Sequence, residues 1–320
     1  MQSFLKFSLT TLLLLFLIII PLIFKNPYFL HIIIMAGIFV LLASSMNLIT
    51  GCTGRLNLGH AGFYGLGAYG STLLVMKMGF PVWIGMLFGG MISTLFGVLI
   101  GVPCLKLRGS YLAITTLAFG EITRLAFINL VELTNGPLGI REIPGPPPLF
   151  LPKIGLIQFE SKIVYYYLIF FICLICLLII YRIMNSQIGN TFIAIREDEI
   201  RAETVGIDTI KIKIINFALG AFFAGIAGSF YAHYVRFISP DTFTLNETFT
   251  ILTMVVIGGL GTFWGPVLGG VIFTFLPELL RAIADYRMII YGLLMTVSII
   301  FMPEGLIGIF RSLRTKKLTE

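Results

Sequence analysis

The sequence predicts an all-α membrane protein, a polytopic bundle of roughly eight to ten transmembrane helices. Hydrophobic residues make up 58% of its 320 positions and charged residues only 12%, whereas a soluble domain carries roughly a quarter charged residues. The mean hydropathy is +1.00, and apolar runs of about 20 residues, the length that crosses a bilayer as a helix, recur along the chain. We expect residues 1–320 to form a single transmembrane domain.

The apolar runs that are long enough to span a bilayer lie near residues 8–24, 29–50, 57–76, 82–102, 110–130, 163–181, 212–235 and 286–303. No small-residue cleavage site follows the first run, so we expect a retained span rather than a cleaved leader. Residues 247–280 differ, because G-G-L-G-T-F-W-G-P, from Gly258 to Pro266, divides their apolar run into two short halves. This pattern predicts paired short or re-entrant helices whose outer ends face the same side.

One loop carries a dense cluster of charge, since six of the eight residues from Arg196 to Glu203 are charged. Such a cluster must lie in water between two spans. With the amino terminus inside, the loop 183–211 and the basic tail 304–320 are cytoplasmic, and most Lys and Arg fall on that side. The net charge of +7 is then an orientation signal, and we expect no nucleic-acid partner. The proline-rich loop 132–162 is extracytoplasmic, and we expect it to form a stiff surface without a helix where a soluble partner docks.

Within the cytoplasmic loop the residues predict a short helix from Asp198, a suitable N-cap, to Val205, with Gly206 as its stop. Glu197 and Arg201 stand four residues apart, the spacing of an ion pair on one helix face. A helix of about two turns is marginal alone in water, so we expect it to dock on another protein. The alternative is a solvated connector, because blocks of mixed charge are usually plain surface.

Seven glycines occur in the segment from Thr50 to Gly70, T-G-C-T-G-R-L-N-L-G-H-A-G-F-Y-G-L-G-A-Y-G. Gly59, Gly62 and Gly65 follow one another at a three-residue spacing, which on a helix lets a neighbouring backbone approach closely. They indicate either plain helix packing or a broken helix that lines a transport pathway, and both interpretations stay open. For His60 we expect a hydrogen-bonded packing role and no metal site, because no second His or carboxylate lies at ligand spacing.

The span that begins L-R-G-S-Y-L is unusually polar. It contains Thr115 and Thr116, and Glu121 and Arg124 are spaced to pair on one helix face. An intramembrane carboxylate is a candidate for function, but the ion pair is also a plain structural explanation, and both interpretations stay open. The absence of a mid-span carboxylate away from a compensating Arg argues against a proton-driven pump.

Four motifs between about Met46 and Gly305 resemble the LivM-like permease subunits of bacterial ATP-binding-cassette importers for branched-chain amino acids. In order they are N-L-I-T-G-C-T-G-R-L-N-L-G-H-A-G-F-Y-G-L-G-A-Y, L-R-G-S-Y-L-A-I-T-T-L-A-F-G-E-I-T-R, G-N-T-F-I-A-I-R-E-D-E-I-R-A-E-T-V-G-I and V-V-I-G-G-L-G-T-F-W-G-P-V-L-G-G. Arg55 stands where members commonly have Gln, and Asn57 where Ser is common.

The resemblance implies that the charged helix is a coupling helix that docks in a groove of a nucleotide-binding subunit, with Glu203 and Gly206 matching the family's E-x-x-G core. The residues expected at this contact are Arg196, Glu197, Asp198, Glu199, Arg201, Glu203 and Gly206. The residues expected in the translocation pathway or in helix packing are Gly59, His60, Gly62, Gly65, Thr115, Thr116, Glu121, Arg124, Gly258, Gly259 and Gly261.

The resemblance also implies three kinds of partner in the bacterial inner membrane system: a homologous LivH-like permease, two ATP-binding cassette ATPase subunits and an extracytoplasmic substrate-binding protein. No Gly-Lys dipeptide occurs, so the chain has no Walker A loop; we expect ATP and Mg on the partner subunits and no cofactor on this chain. Neither H-E-x-x-H nor G-x-S-x-G occurs, which argues against a membrane enzyme. An importer for urea or short-chain amides and a secondary transporter stay open as alternatives.

Overall fold

The computed structural model describes residues 19–21, 26–104, 110–151, 155–159 and 161–279, with short helical stretches at 289–290, 292–293, 296–297 and 305–308. Nearly all of these residues are helical, which confirms the all-α class. The predicted span at 8–24, the span at 286–303 and the tail 304–320 lie outside the described residues, apart from the few positions just given.

The helices are α1 (Pro27–Met46), α2 (His60–Met78), α3 (Val82–Cys104), α4 (Ser110–Asn129), α5 (Val131–Thr134), α6 (Lys162–Met184), α7 (Gln187–Glu197), α8 (Glu199–Thr204), α9 (Thr209–Val235), α10 (Leu245–Gly258) and α11 (Trp264–Leu279). A π-helix, Asn47–Cys52, continues α1. Within the described part of the chain, five segments are long and apolar enough to cross a membrane: Pro27–Cys52, Val82–Val102, Ser110–Asn129, Lys162–Met184 and Thr209–Val235. The protein is therefore a multi-pass membrane protein.

Helix α9 lies at the centre of the bundle. It packs against α1, α2 and α3, while α1 also contacts α6 and α11. Small residues make these contacts close: a Cβ atom on Gly67 of α2 would lie 2.2 Å from the Gly225 carbonyl oxygen of α9. This is how membrane helices associate, because van der Waals packing between close backbones replaces the hydrophobic drive available in water.

The two long loops lie at opposite ends of the molecule. Helix α6 has 23 residues, about 35 Å at 1.5 Å per residue, with the loop 132–162 before it and the charged loop 183–211 after it. At the end before α6, Lys77 Nζ donates to the Glu132 carbonyl oxygen at 2.8 Å. We call this the outer end and the opposite one the inner end. The assignment of the inner end to the cytoplasm stays a prediction.

The sequence predicted that the loop 132–162 forms no helix, and this prediction is wrong at its start. It begins in α5, a single turn, and a 3₁₀ turn at Gly136–Leu138, because Asn135 adopts a left-handed conformation (φ 62°) that ends one turn and starts the other. Two small antiparallel sheets follow. Strand β1 (Ile140–Arg141) pairs with β4 (Phe237–Ile238), and β2 (Leu149–Leu151) pairs with β3 (Gly155–Ile157).

The paired short helices predicted for residues 247–280 are present as α10 and α11, of 14 and 16 residues. They pack as a tight hairpin, in which a Cβ atom on Gly258 would lie 2.0 Å from the Gly265 carbonyl oxygen. The turn between them needs glycine because Gly259 and Gly261 have positive φ angles of 126° and 74°. This turn, residues 259–263, is called the hairpin turn below, and it reaches the inner end of the bundle.

Candidate functional site

The charged loop folds into two helices rather than one. Helix α7 begins at Ser186, whose side chain accepts from the Gly189 N–H, and was not predicted. Helix α8 begins as predicted at Asp198, whose Oδ1 accepts from the N–H groups of Ile200 and Arg201 at 3.0 and 3.1 Å. Its end is also as predicted, because Gly206 has φ +88°.

The expected ion pair between Glu197 and Arg201 is wrong. Asp198 has an extended conformation (φ −159°), which ends α7 and separates the two residues into different helices. Arg201 Nε instead pairs with Asp198 Oδ2 at 2.9 Å. Asp198, the N-cap residue, pairs with Arg201 in place of Glu197, because Asp198 stands one helical turn before Arg201.

Helices α7 and α8 have one face on the bundle and one face in solvent. Phe192, Ile195 and Ala202 are buried against the bundle. On the other side, Ile200 and Val205 are 60% and 75% exposed. Exposed apolar side chains on a charged segment are compatible with an interaction surface, and the choice between such a surface and a solvated connector stays a prediction. We call the surface formed by Ile200, Arg201, Val205 and Gly206 the α8 face.

Glu199 belongs to the inward side of this segment. Its two carboxylate oxygens pair with Arg55, in the loop before α2, and with Lys213, near the start of α9. The side chains of Lys213 and Arg55 are only 2% and 12% exposed. Glu199 was expected at a contact with another subunit, and the structure places it instead in a buried cluster that ties α8 to two elements of the bundle.

Arg196 makes a second connection from the charged loop to the bundle. Its Nη1 donates to the Gly51 carbonyl oxygen at 2.8 Å, at the end of the π-helix. The guanidinium also occupies the space beside the hairpin turn, where a Cβ atom on Gly261 would lie 2.2 Å from Nη1. Because Gly261 has no side chain, Arg196 has room to reach the Gly51 carbonyl oxygen in the π-helix that continues α1.

Asn47 holds the hairpin turn from the other side, and sequence reasoning missed it. The fully buried amide accepts from the Gly261 N–H at 2.8 Å and donates to the Thr262 carbonyl oxygen at 2.9 Å. A buried amide that uses both ends of its side chain in this way fixes the position of the turn. The available signal was an asparagine inside an otherwise apolar run, but its partner lies more than 200 positions away.

Glu203, near the C-terminus of α8, joins this helix to the start of α9, since its Oε1 accepts from Thr209 Oγ1 at 2.8 Å. Glu197 and Glu203 remain exposed, as a contact with another chain would require. Gly206 is exposed too, and a Cβ atom there would meet no atom within 4 Å. Its requirement for glycine is thus set by backbone conformation and not by crowding within this chain.

The glycine stripe of α2 is a packing surface. A Cβ atom on Gly59 would lie 2.1 Å from the Thr116 carbonyl oxygen of α4, and one on Gly65 would lie 2.8 Å from a ring carbon of Phe127. Gly62 faces Gly120 in the same interface. Close approach was predicted and is confirmed. The chain is indeed broken here, between the π-helix and α2, but these three glycines face α4 and not an open pathway.

His60 and Thr116 help to hold the break between the π-helix and α2. His60 is fully buried, with Nε2 2.9 Å from Ser45 Oγ and Nδ1 3.4 Å from the Asn57 amide nitrogen. Thr116 Oγ1 accepts from the Leu58 N–H at 3.0 Å. Both are packing residues with satisfied polar atoms. Thr115 takes no part, since its hydroxyl donates to the Tyr111 carbonyl oxygen of its own helix.

Glu121 and Arg124 form the predicted ion pair on α4. Arg124 Nη2 lies 2.6 Å from Glu121 Oε1, and Nε lies 3.1 Å from both carboxylate oxygens. Glu121 also lines a cavity of about 180 Å³ between α2, α4 and the start of α10, whose other lining residues include Leu58, Ala61, Leu117, Leu245 and Thr248. The structure therefore brings Glu121 together with an apolar cavity and leaves Thr115 outside it.

The comparison with known proteins agrees with this arrangement. A family model described as branched-chain amino acid transport system / permease component matches residues 28–299. The chain belongs to this family. It is 35% identical over 294 residues to the high-affinity branched-chain amino acid transport system permease protein LivM of Salmonella typhimurium, covering 87% of this chain and 69% of that protein.

Other members of the permease family are similar as well. The LivM protein of Escherichia coli is 35% identical over 291 residues, covering 86% of this chain and 68% of that protein. The LivH permease protein of Salmonella typhimurium is 26% identical over 290 residues, covering 84% of this chain and 91% of that protein. No solved structure matches. These similarities place the Glu199 cluster and the Glu121 cavity in a transport permease.

Proposed function

We propose that the chain is a transmembrane permease subunit of an ATP-driven importer for branched-chain, hydrophobic amino acids in the bacterial inner membrane. Its pairing with a homologous LivH-like permease, with two ATP-binding cassette ATPase subunits and with an extracytoplasmic substrate-binding protein is part of this proposal. ATP and Mg would be bound by the ATPase subunits. The names of the relatives support the substrate class, since both LivM and LivH are described as permeases for branched-chain amino acids.

One observation carries the coupling role. Helix α8 turns Ile200 and Val205 toward solvent while Glu199, at its start, is tied to Arg55 and Lys213 inside the bundle. A segment with an apolar outer face and a charged inner anchor suits the transfer of movement from a docked subunit. A displacement of α8 would act on the loop before α2 through Arg55 and on α9 through Lys213.

A second connection would act on the hairpin turn. Arg196 joins the charged loop to the Gly51 carbonyl and lies against Gly261, while Asn47 joins α1 to the same turn. Rigid elements joined by short hydrogen-bonded contacts move as units, so the α10–α11 hairpin would follow the charged loop. We propose that these contacts couple the ATPase cycle to the bundle.

The test is reconstitution of the chain with its partners in liposomes. We expect uptake of radiolabelled leucine only with ATP, the ATPase subunits and the loaded binding protein. Uptake that survives without ATP, driven by a membrane potential alone, would replace the proposal by a secondary transporter. Capture of urea or a short-chain amide by the binding protein, in place of leucine, isoleucine or valine, would replace the substrate class and keep the importer.

The coupling contact has its own test. A Val205→Asp variant places a charge on the α8 face and should lower assembly with the ATPase subunits in pull-down from detergent. Leu130→Asp is the matched control, since Leu130 is a 50% exposed residue at the outer end of the bundle. Equal recovery of the ATPase subunits with both variants would contradict docking at the α8 face.

A further inference from the structure

We propose that Glu121 and Arg124 form a transient site for the charged groups of the amino acid during its passage, with Glu121 facing the α-ammonium and Arg124 the α-carboxylate. This proposal rests on the proposed import of amino acids and adds the residues that meet the substrate. The observation behind it is the combination of an ion pair with open hydrogen-bonding capacity and an apolar cavity at the same place on α4.

The position of the pair along α4 suits a site within the membrane. Glu121 comes 11 residues after Ser110 and 8 residues before Asn129, so about 17 Å of helix lie on one side and about 12 Å on the other. A charged pair at such a depth is unfavourable against lipid and is expected at a water-filled cavity. The side chains of Glu121 and Arg124 are 42% and 23% exposed, and Glu121 lines the cavity, which meets this expectation.

The pair retains atoms that can bind a substrate. A carboxylate can accept about four hydrogen bonds and a guanidinium can donate five, whereas the hydrogen bonds within the pair, among the described residues, use Nε and Nη2 of Arg124. Arg124 Nη1 points toward Asp241 Oδ1 at 3.8 Å, beyond hydrogen-bond distance. A zwitterion carries one ammonium and one carboxylate on the same carbon. It therefore complements two opposite charges that stand one helical turn apart.

The cavity supplies the complement for an aliphatic side chain. Leu58, Leu117 and Leu245 line it together with Ala61, while Thr248 is occupied by accepting from the Ala61 N–H at 3.1 Å. Its volume of about 180 Å³ corresponds to about six water molecules at roughly 30 Å³ each, which is room for an aliphatic side chain. Glu121 is itself one of the residues that line this cavity, so a branched side chain and an ammonium group can bind there together.

The pairing also explains how such a site releases its substrate. When the site is empty, Glu121 and Arg124 pair with each other, so the charge of each is already compensated. A substrate must compete with this internal pair and is held weakly. Weak binding is what a pathway needs, because a tightly bound solute would leave slowly.

The experiment uses the complete complex in liposomes and measures the ratio of leucine taken up to ATP hydrolysed. Glu121→Gln removes the charge and nearly keeps the shape of the side chain, and we expect the ratio to fall about tenfold, the effect of losing a hydrogen bond between charged groups. Asn129→Ala is the control for loss of a polar side chain on α4, since the exposed Asn129 amide donates to the Leu125 carbonyl oxygen of its own helix, outside the cavity. Its ratio should stay within about twofold of wild type.

A double variant separates recognition of the substrate from a structural role. Glu121→Arg with Arg124→Glu restores an ion pair on α4 but exchanges the two charges, and we expect the low ratio to persist. Wild-type ratios in the double variant, or in Glu121→Gln, would overturn the proposal and leave the pair as a brace within α4. Failure of the wild-type complex to import leucine with ATP would instead overturn the proposed function, and this measurement comes first.

Discussion

Glu199 is one of the residues that hold the charged loop to the bundle, and its carboxylate lies between two cations. Arg55 and Lys213 share its carboxylate, and Lys213 is only 2% exposed. A buried cation that loses its partner pays a large desolvation cost, whereas the loss of a second, redundant cation costs little. Removal of Glu199 should therefore destabilise the protein more than removal of one of the two cations.

We predict that Glu199→Gln lowers the stability of the permease by about 3–5 kcal/mol, because it removes the carboxylate that pairs directly with the buried Lys213. Arg55→Gln is the matched change, and it keeps the pair between Glu199 and Lys213. It should alter stability by less than about 1 kcal/mol. Thermal unfolding of the two purified variants in detergent gives the comparison. Equal midpoints would show that the cluster is not what holds α8.

Gly206 has a conformational requirement that no contact explains. It has φ +88° and open space around the position of a Cβ atom. We predict that Gly206→Val raises the energy of this turn by about 1–2 kcal/mol, while Gly206→Asn is tolerated because asparagine visits positive φ readily. In reconstituted complexes, stimulation of ATP hydrolysis by loaded binding protein should fall with Val and persist with Asn. Loss with both variants would mean that the partner subunit requires a bare backbone here.

Local chemistry could be predicted at single residues and distant partners could not. The roles of Asp198 and Gly206 could be predicted, because a helix cap and a positive-φ helix stop depend on residues within one helical turn. The partners of Glu199 lie in the loop before α2 and near the start of α9, and no short-range rule connects them. For the same reason Asn47 was missed. The four-residue spacing of Glu197 and Arg201 suggested an ion pair, but Arg201 pairs with Asp198, three residues before it.

At the scale of elements, the glycine stripe of α2 shows what spacing can and cannot decide. The three-residue repeat predicted a close contact, and α4 makes that contact at Gly62 and Gly65. The repeat could not say whether the glycines face another helix or a pathway, because both need small residues. Helix α7 was missed, although the start of α8 at Asp198 was predicted.

The contact between α2 and α4 gives a prediction at this scale. Gly65→Leu inserts a side chain where even a Cβ atom would lie 2.8 Å from Phe127, so we expect a loss of about 1–3 kcal/mol in stability. Ala118→Leu adds a similar side chain to the exposed face of α4 and should be neutral. Yield of monodisperse protein and its unfolding midpoint measure the difference. Equal behaviour of both variants would contradict tight packing between α2 and α4.

At the scale of the whole molecule, the two ends carry different chemistry. The inner end gathers the charged loop, Arg55 and the hairpin turn, while the outer end gathers α5, the small sheets and the start of α10. The cavity beside Glu121 lies where α2 and the start of α10 meet α4. If the proposed function is right, substrate enters from the outer end and the ATPase subunits act on the inner end.

The orientation of these ends is the last prediction. In a variant whose four cysteines have been replaced, a single cysteine at Gly155 in strand β3 should react in intact cells with an impermeant thiol reagent. A single cysteine at Val205, which is 75% exposed at the other end, should react only after the cells are opened. Addition of the ATPase subunits to opened membranes should then protect position 205 and leave position 155 reactive. Reaction of Val205→Cys in intact cells would reverse the topology, and with it the side from which ATP could act on α8. An unprotected position 205 in the assembled complex would keep the topology and remove the docking surface, because the most exposed apolar residue of α8 cannot stay accessible in a contact that depends on it.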